Sequence, residues 1–194
     1  MNLEEHSFIQ VLFIVLWIMM PAYLSNTFAV ISGGRFPIDQ GKIHSDGNRI
    51  LGDGKTWSGL IGGTTGGILI GYLQMNYGNS IINTLANTNN YDFWGENPII
   101  IISLLAFGAL LGDMTASFFE RRSKLNRGDK SPLLDMFDFI GMALFLTLLF
   151  DYEWLKSWII DGYAPLFTLL IATPVLHRSV NIIGYKLGIK NEPW

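Results

Sequence analysis

Phe8–Ile31 reads FIQVLFIVLWIMMPAYLSNTFAVI, a run with no charged residue. A helix that crosses a hydrocarbon core needs about 17–25 mostly apolar residues, so this block is long enough to span a bilayer. Working outward, four further blocks have the same character: Ser58–Tyr77, Ile99–Phe119, Leu133–Phe150 and Trp158–Leu176. The fourth carries Asp135 and Asp138 near its start, and the fifth carries Asp161. The first block does not read as a cleavable signal, because Met1–Ser7 has no Lys or Arg and the apolar run exceeds a signal h-region. The expected fold is an all-α integral membrane protein. Residues 1–194 form a single polytopic domain of five transmembrane helices, with loops at about 32–57 and 120–132.

The charges orient this bundle. With the amino terminus outside, the Ser32–Trp57 loop holds Arg35, Lys42, Arg49 and Lys55, and the Glu120–Pro132 loop holds Arg121, Arg122, Lys124, Arg127 and Lys130. The carboxyl-terminal segment adds Arg178, Lys186 and Lys190, so twelve of the thirteen basic residues share one side and only Lys156 is opposite. The positive-inside rule makes the basic side, including the carboxyl terminus, cytoplasmic. Trp94, Trp154 and Trp158 then fall near the outer interface and Trp57 near the inner one, as in an aromatic belt. The Gly78–Pro98 connection is polar and Asn-rich, and reads as an exterior loop without chemistry.

Composition removes several function classes. The 194 residues are 49% hydrophobic and contain no cysteine, which excludes thiol chemistry, disulfides and cysteine-rich zinc sites. A net charge of -3 gives no reason to expect nucleic acid. His6, His44 and His177 lie too far apart to show metal-ligand spacing.

Three segments carry the chemistry. The first basic loop ends Arg49-Ile50-Leu51-Gly52-Asp53-Gly54-Lys55-Thr56, immediately before an apolar helix. Glycines let backbone N–H groups approach phosphate oxygens, Lys55 adds charge, and the start of the helix points its positive end the same way. The stretch is not a Walker A loop, since Arg49 stands where that pattern needs Gly. It also reads as an ordinary basic juxtamembrane turn. The third block ends Gly112-Asp113 through Ser117 to Arg121-Arg122, with Asp113, Ser117 and Arg121 at i, i+4, i+8 on one face. A carboxylate inside a span is costly unless paired, which favours a functional Asp113 over an intrahelical relay. The fourth block opens with Ser131 as an N-cap, Pro132 as the first helical residue, and Asp135 and Asp138 on one face. Asp135 can offset the helix dipole, but Asp138 lies too deep for that. Two carboxylates together with nucleotide phosphates are a usual way to hold Mg²⁺, and Asp129 can join them. In the second block, Gly59, Gly63, Gly67 and Gly71 form a stripe that reads as close helix packing.

At these residues the sequence resembles the CTP-dependent phosphatidate cytidylyltransferase superfamily. Gly54-Lys55-Thr56-Trp57 with Gly59 and Ile61-Gly62-Gly63 matches one of its motifs. The stretch from Gly112-Asp113 through Ser117, Arg121, Asp129 and Pro132 to Asp135 and Asp138 matches another. The five-span length, Pro132-Leu133-Leu134-Asp135, and the ending His177-Arg178, Asn181, Gly184-Tyr185, Gly188 and Pro193-Trp194 look like its archaeal branch, the CDP-archaeol synthases. Glu120 departs from the pattern, standing where a Lys is usual, and the bacterial Gly-His-Gly-Gly before the last Asp pair is absent.

The resemblance implies a multi-pass enzyme of the cell membrane with its active site facing the cytoplasm. It would join CTP to an isoprenoid ether lipid phosphate, an unsaturated archaeal diether glycerol phosphate, giving CDP-archaeol and pyrophosphate with Mg²⁺. On that basis Lys55, Arg121 and Asp138 are the catalytic candidates. Arg49, Gly54, Lys55, Thr56, Ser117, Arg121 and Arg122 are the substrate-binding candidates, Arg49 and Arg122 for the lipid phosphate. Asp135, Asp138, Asp129 and Asp113 are the metal candidates. Other readings are a phosphatidate-type cytidylyltransferase and a small membrane transporter. Transporter sites sit near the bilayer midplane, whereas these candidates gather toward one face. A CDP-alcohol phosphotransferase is disfavoured, because Asp46-Gly47-Asn48-Arg49 does not supply its Asp-Gly and Ala-Arg signature.

Overall fold

The computed structural model describes residues 6–88, 91–125, 132–186 and 188, with side chains for all of these except 132–135. The first apolar block becomes α1 (Phe8–Ser32). Its start is fixed by a capping box: Gln10 N donates to Ser7 Oγ at 3.4 Å, and Ser7 N donates to Gln10 Oε1 at 2.8 Å. The remaining helices are α2 (Trp57–Leu73), α3 (Asn79–Leu85), α4 (Pro98–Arg122), α5 (Pro132–Phe150), α6 (Tyr152–Leu155) and α7 (Tyr163–Lys186). π-helical turns at Gln74–Gly78 and Lys156–Ile160 follow α2 and α6. Among the described residues, extended pairing is confined to two isolated bridges in the loop between α1 and α2.

Three helices, α1, α4 and α7, are long and apolar enough to cross a membrane, and α5 contains a shorter apolar stretch, Met136–Phe150. Large apolar side chains on the outward faces, such as Leu69, Phe145 and Phe167, are exposed. That is the surface expected of a protein solvated by hydrocarbon rather than water.

α2 lies between α1 and α4, and its glycine stripe is the reason it can. A Cβ on Gly63 would come within 2.7 Å of the Ser25 carbonyl and 2.8 Å of the Leu110 side chain. One on Gly67 would reach the Pro21 carbonyl and the Ala106 side chain, both at 2.7 Å. Removing side chains from this face lets three backbones close up, and dispersion between them replaces the missing hydrophobic drive. α4 then packs on α5, and α7 packs mainly on α1.

Three expectations change in detail. The Gly78–Pro98 connection begins as helix, because α3 continues the α2 direction and buries Ile82 in the core. The last long helix starts at Tyr163 rather than Trp158: Gly162, at φ +131°, interrupts the run. Trp94, Trp154 and Trp158 are 1%, 5% and 6% exposed, so they pack inward rather than facing lipid as a belt would. The Trp154 indole N–H donates to the Phe93 carbonyl at 2.9 Å, and the Phe93 ring lies 5.1 Å from that of Trp158. Trp57, by contrast, is exposed.

Candidate active site

The loop between α1 and α2 folds around one carboxylate. Bridges pair Pro37 with Thr56 and Ile43 with Arg49, which brings Asp39 against the end of the loop. The Asp39 side chain is fully buried. Arg49 donates to it twice, Nε to Oδ2 at 3.1 Å and Nη2 to Oδ1 at 2.6 Å. Backbone N–H groups of Leu51, Gly52 and Gly41 donate to it at 3.0, 2.9 and 3.1 Å. Arg49, foremost, and these amides hold the Asp39 carboxyl far below the usual carboxylate range. Gly52 sits at φ +92°, a left-handed conformation that lets the chain turn its amide inward.

The other end of Arg49 reaches Asp53 at 2.9 Å, and α4 grips the same loop from outside. Arg122 donates to the Arg49 carbonyl at 2.5 Å, pairs through Nε with Asp46 at 2.7 Å, and stacks 4.9 Å above the Phe118 ring. The Asn48 amide and Arg122 both lower the Asp46 carboxyl below its ordinary value, the amide more.

This frame delivers Lys55 to a defined place. Its Nζ lies 2.6 Å from Asp113 Oδ2 on α4. Thr56 caps α2, its hydroxyl accepting the Gly59 N–H at 3.1 Å, so the positive end of α2 opens beside Lys55. Asp113 stands where α4 and α5 approach most closely. A Cβ on the preceding Gly112 would fall 2.2 Å from the Asp138 carbonyl oxygen, and one on Gly108 would fall 2.7 Å from the Ala143 Cα. Glycine at position 112 thus lets the α5 backbone at Asp138 lie against α4 next to Asp113.

Gly54, Lys55, Thr56, Asp113 and Asp138 line a single cavity of about 930 Å³. Beyond this polar end it is walled mainly by apolar residues of α1 and α7, with Tyr23, Asn26, Thr27, His177 and Asn181 among them. The other candidates occupy different places. Arg49 and Arg122 belong to the frame of the loop. Ser117 is buried within α4 off the cavity wall. Arg121 lies off the wall as well, paired with Glu120 at 3.3 Å, while its buried Nε has no partner among the described residues. Asp129 and the side chain of Asp135 lie outside the described residues, as do Pro193 and Trp194 of the carboxyl-terminal pattern. No group of three or more His, Asp or Glu side chains occurs together among the described residues.

Asp39 and Asp46 tie the loop together, and sequence reasoning missed them. The available signal was Asp39 two residues before Gly41, the spacing of a side chain bonded to a turn amide.

The sequence model of the family described as CarS-like: CDP-archaeol synthase matches residues 8–194. A CDP-archaeol synthase of Methanospirillum hungatei is 48% identical over 91% of this chain and 100% of its own length. One of Methanosarcina acetivorans is 45% identical over the same shares. A solved structure, described as an intramembrane enzyme for archaeal membrane lipids biosynthesis, is 32% identical with a TM-score of 0.65, over 86% of this chain and 92% of that one. Matched across nearly its whole length by the family's sequence model and by these relatives, this helical membrane protein belongs to the CDP-archaeol synthase family.

Proposed function

We propose that the chain transfers a cytidylyl group from CTP to an unsaturated archaeal diether glycerol phosphate, giving CDP-archaeol and pyrophosphate at the cytoplasmic face. The observation that carries this reading is the meeting of Lys55, Asp113, Asp138 and the positive end of α2 in one cavity whose remaining walls are mainly apolar. Phosphates and a lipid can share such a space.

In this reading the bundle crosses the membrane five times, through α1, α2 with its π turn, α4, α5 and α7. The amino terminus is outside, and the α1–α2 loop and the α4–α5 connection are inside.

A phosphate monoester has a second pKa near 6 and is largely dianionic at neutral pH. A lipid phosphate oxygen attacks the α-phosphorus of CTP in line. The new P–O bond forms as the bond to the β-phosphate oxygen breaks, and pyrophosphate leaves. No side chain need remove a proton, so the residues act by position and charge. Lys55 exchanges Asp113 for phosphate oxygens, with Gly54 and the positive end of α2 beside it. Arg121 would supply a second cation to the nucleotide by turning from Glu120 toward the cavity. Arg49 and Arg122 hold the loop. Two carboxylates on one cavity wall suit Mg²⁺, which takes one or two protein carboxylates plus substrate phosphates and keeps several waters. Asp138 and Asp113 would hold it, with Asp135 and Asp129 completing the set. When bound, Mg²⁺ offsets charge on the triphosphate.

The test is purified protein in detergent with labelled CTP, Mg²⁺ and a panel of lipid phosphates: unsaturated diether, saturated diether and diacyl. Pyrophosphate release with the unsaturated diether in excess of the others is expected. Equal turnover of the diacyl lipid would move the enzyme to the phosphatidate type, and no release with any of them would refute the reaction.

A further inference from the structure

Two substrates must meet in this cavity, and the residues so far account for one. The described cations at the site are committed: Lys55 to Asp113, Arg49 to Asp39 and Asp53, Arg121 to Glu120, and Arg122 to Asp46 and the loop carbonyls. Those that can turn to a ligand face the triphosphate in the proposed reaction. The attacking phosphate has its chains in hydrocarbon, so it must be held where the apolar lining gives way to polar groups.

That boundary is on α7. Thr173, His177 and Asn181 recur at i, i+4 and i+8 and share one helix face. Thr173, fully buried, is tied to α1 by the Tyr23 hydroxyl at 3.0 Å. His177 and Asn181 line the cavity, with Asn181 Nδ2 3.3 Å from the imidazole nitrogens. Asn181 is 4% exposed. An imidazole and a carboxamide on the α7 wall, whose other lining residues are apolar, are expensive in a membrane helix and mark ligand pathways by default. Away from them, the lining follows α1 from Phe13 to Ile31. At 1.5 Å rise per residue that is about 27 Å of helix, close to the roughly 30 Å of a hydrocarbon core.

We infer that His177 and Asn181 form the subsite for the phosphate of the lipid substrate, a phosphate monoester on an apolar diether. The α1 and α7 side chains beside them receive its isoprenoid chains. The inference rests on the cytidylyltransfer proposed above. A carboxamide donates hydrogen bonds without cancelling the phosphate charge, and the imidazole places a second donor beside it. The attacking oxygen therefore keeps its nucleophilicity, which a Lys or Arg clamp would reduce. Cations are kept for the leaving group, where charge builds up.

Asn181→Asp sets a carboxylate against the lipid phosphate. It is expected to raise the KM for the diether glycerol phosphate about tenfold or more, with the KM for CTP within about twofold of wild type. His177→Leu acts in the same direction, and His177→Gln, which keeps a donor, recovers most of the loss. An unchanged lipid KM in both Asn181→Asp and His177→Leu would overturn the assignment. So would a CTP KM that rises as far as the lipid KM, which would give these residues to the nucleotide. If Asn181→Asp does not fold, as read by intrinsic tryptophan melting, the two His177 variants carry the test. Equilibrium binding of radiolabelled diether glycerol phosphate without CTP separates this inference from the reaction. A wild type that binds the lipid and a His177→Leu variant that does not would uphold the subsite, even if no pyrophosphate were released. Equal binding by both would remove it.

Discussion

Replacing Asp39 by Asn leaves the shape of the residue and removes its charge, at the one carboxylate around which the first loop is folded. Oδ2 accepts from Arg49 Nε, Leu51 N and Gly52 N, and Oδ1 accepts from Arg49 Nη2 and Gly41 N. An amide can satisfy only one of these sets. With its oxygen in the Oδ2 place, its NH2 meets two further donors, Arg49 Nη2 and the Gly41 amide. Hydrogen bonds to a charged group contribute about 1.5–3 kcal/mol each, and breaking a fully buried ion pair costs about 3–5 kcal/mol. Arg49 is 29% exposed, so water screens part of the loss, and about 2–3 kcal/mol is a reasonable net cost on that scale. If the loop must be ordered before the nucleotide binds, that free energy is drawn from CTP affinity. At 1.4 kcal/mol per factor of ten, the CTP dissociation constant rises by up to roughly 30- to 100-fold. Titration of a fluorescent CTP analogue into the purified variant measures this directly. The reasoning also requires amide exchange to accelerate at residues 50–55 while exchange in the α1 and α4 cores stays slow. CTP affinity within about twofold of wild type, with the exchange pattern unchanged, would refute the view that Asp39 organises the nucleotide loop.

Because the Asp39 carboxyl is held below its unfolded value, its contribution to loop order is complete above that value, about pH 4. It is lost only as pH falls through the lower folded value, so loop exchange corrected for intrinsic rate should stay flat from pH 7 to about pH 4 in wild type. Gly112→Ala forces a methyl against the α5 backbone and should cost about 1–3 kcal/mol, read as a lower tryptophan-monitored melting temperature together with reduced turnover; an unchanged melt would mean the α4–α5 crossing is looser than described. Asp138→Asn should abolish CTP-dependent pyrophosphate release while the protein still inserts and melts cooperatively, and EDTA should do the same to wild type until Mg²⁺ is restored; near wild-type turnover in the variant would remove Asp138 from the mechanism. The chain has no cysteine, so single Cys substitutions give a clean topology assay: Ser45→Cys should react with an impermeant thiol reagent from the cytoplasmic side and Glu96→Cys, also at an exposed position, from the other, and labelling of both from one side would sink the five-span arrangement.

The helical blocks were legible because a bilayer demands long uncharged runs, and such runs leave little ambiguity about period or length. Their ends were less so. Gly162 shifts the start of α7, and α3 exists because Ile82 finds a core to enter, a tertiary reason that a polar Asn-rich stretch does not advertise. At the site, Lys55, Asp113 and Asp138 could be singled out because a cation beside glycines and carboxylates inside spans are costly oddities. What could not be read was which charges neutralise one another. Arg49 and Arg122 look like phosphate ligands in a string of letters. In space, one is enclosed by Asp39 and Asp53, and the other holds Asp46 and a loop carbonyl. Gly112 and Gly108 fall outside the regular four-residue stripe, yet they set the distance between the two helices that bear the carboxylates.

The α7 wall is held less firmly than the loop and α4. Pro174 lies inside α7 and has no N–H to bond the carbonyl one turn earlier, and the helix packs chiefly on α1. The loop and α4, by contrast, are bolted together through Arg122 and Lys55. In the proposed five-span arrangement the seam along α7 faces the hydrocarbon. A reactant arriving by that seam never leaves the leaflet, so its encounter rate is governed by molecules per unit area of membrane, while the water-soluble partner is counted per unit volume. Diluting the lipid substrate with inert lipid at fixed bulk concentration should then slow turnover as effectively as removing it.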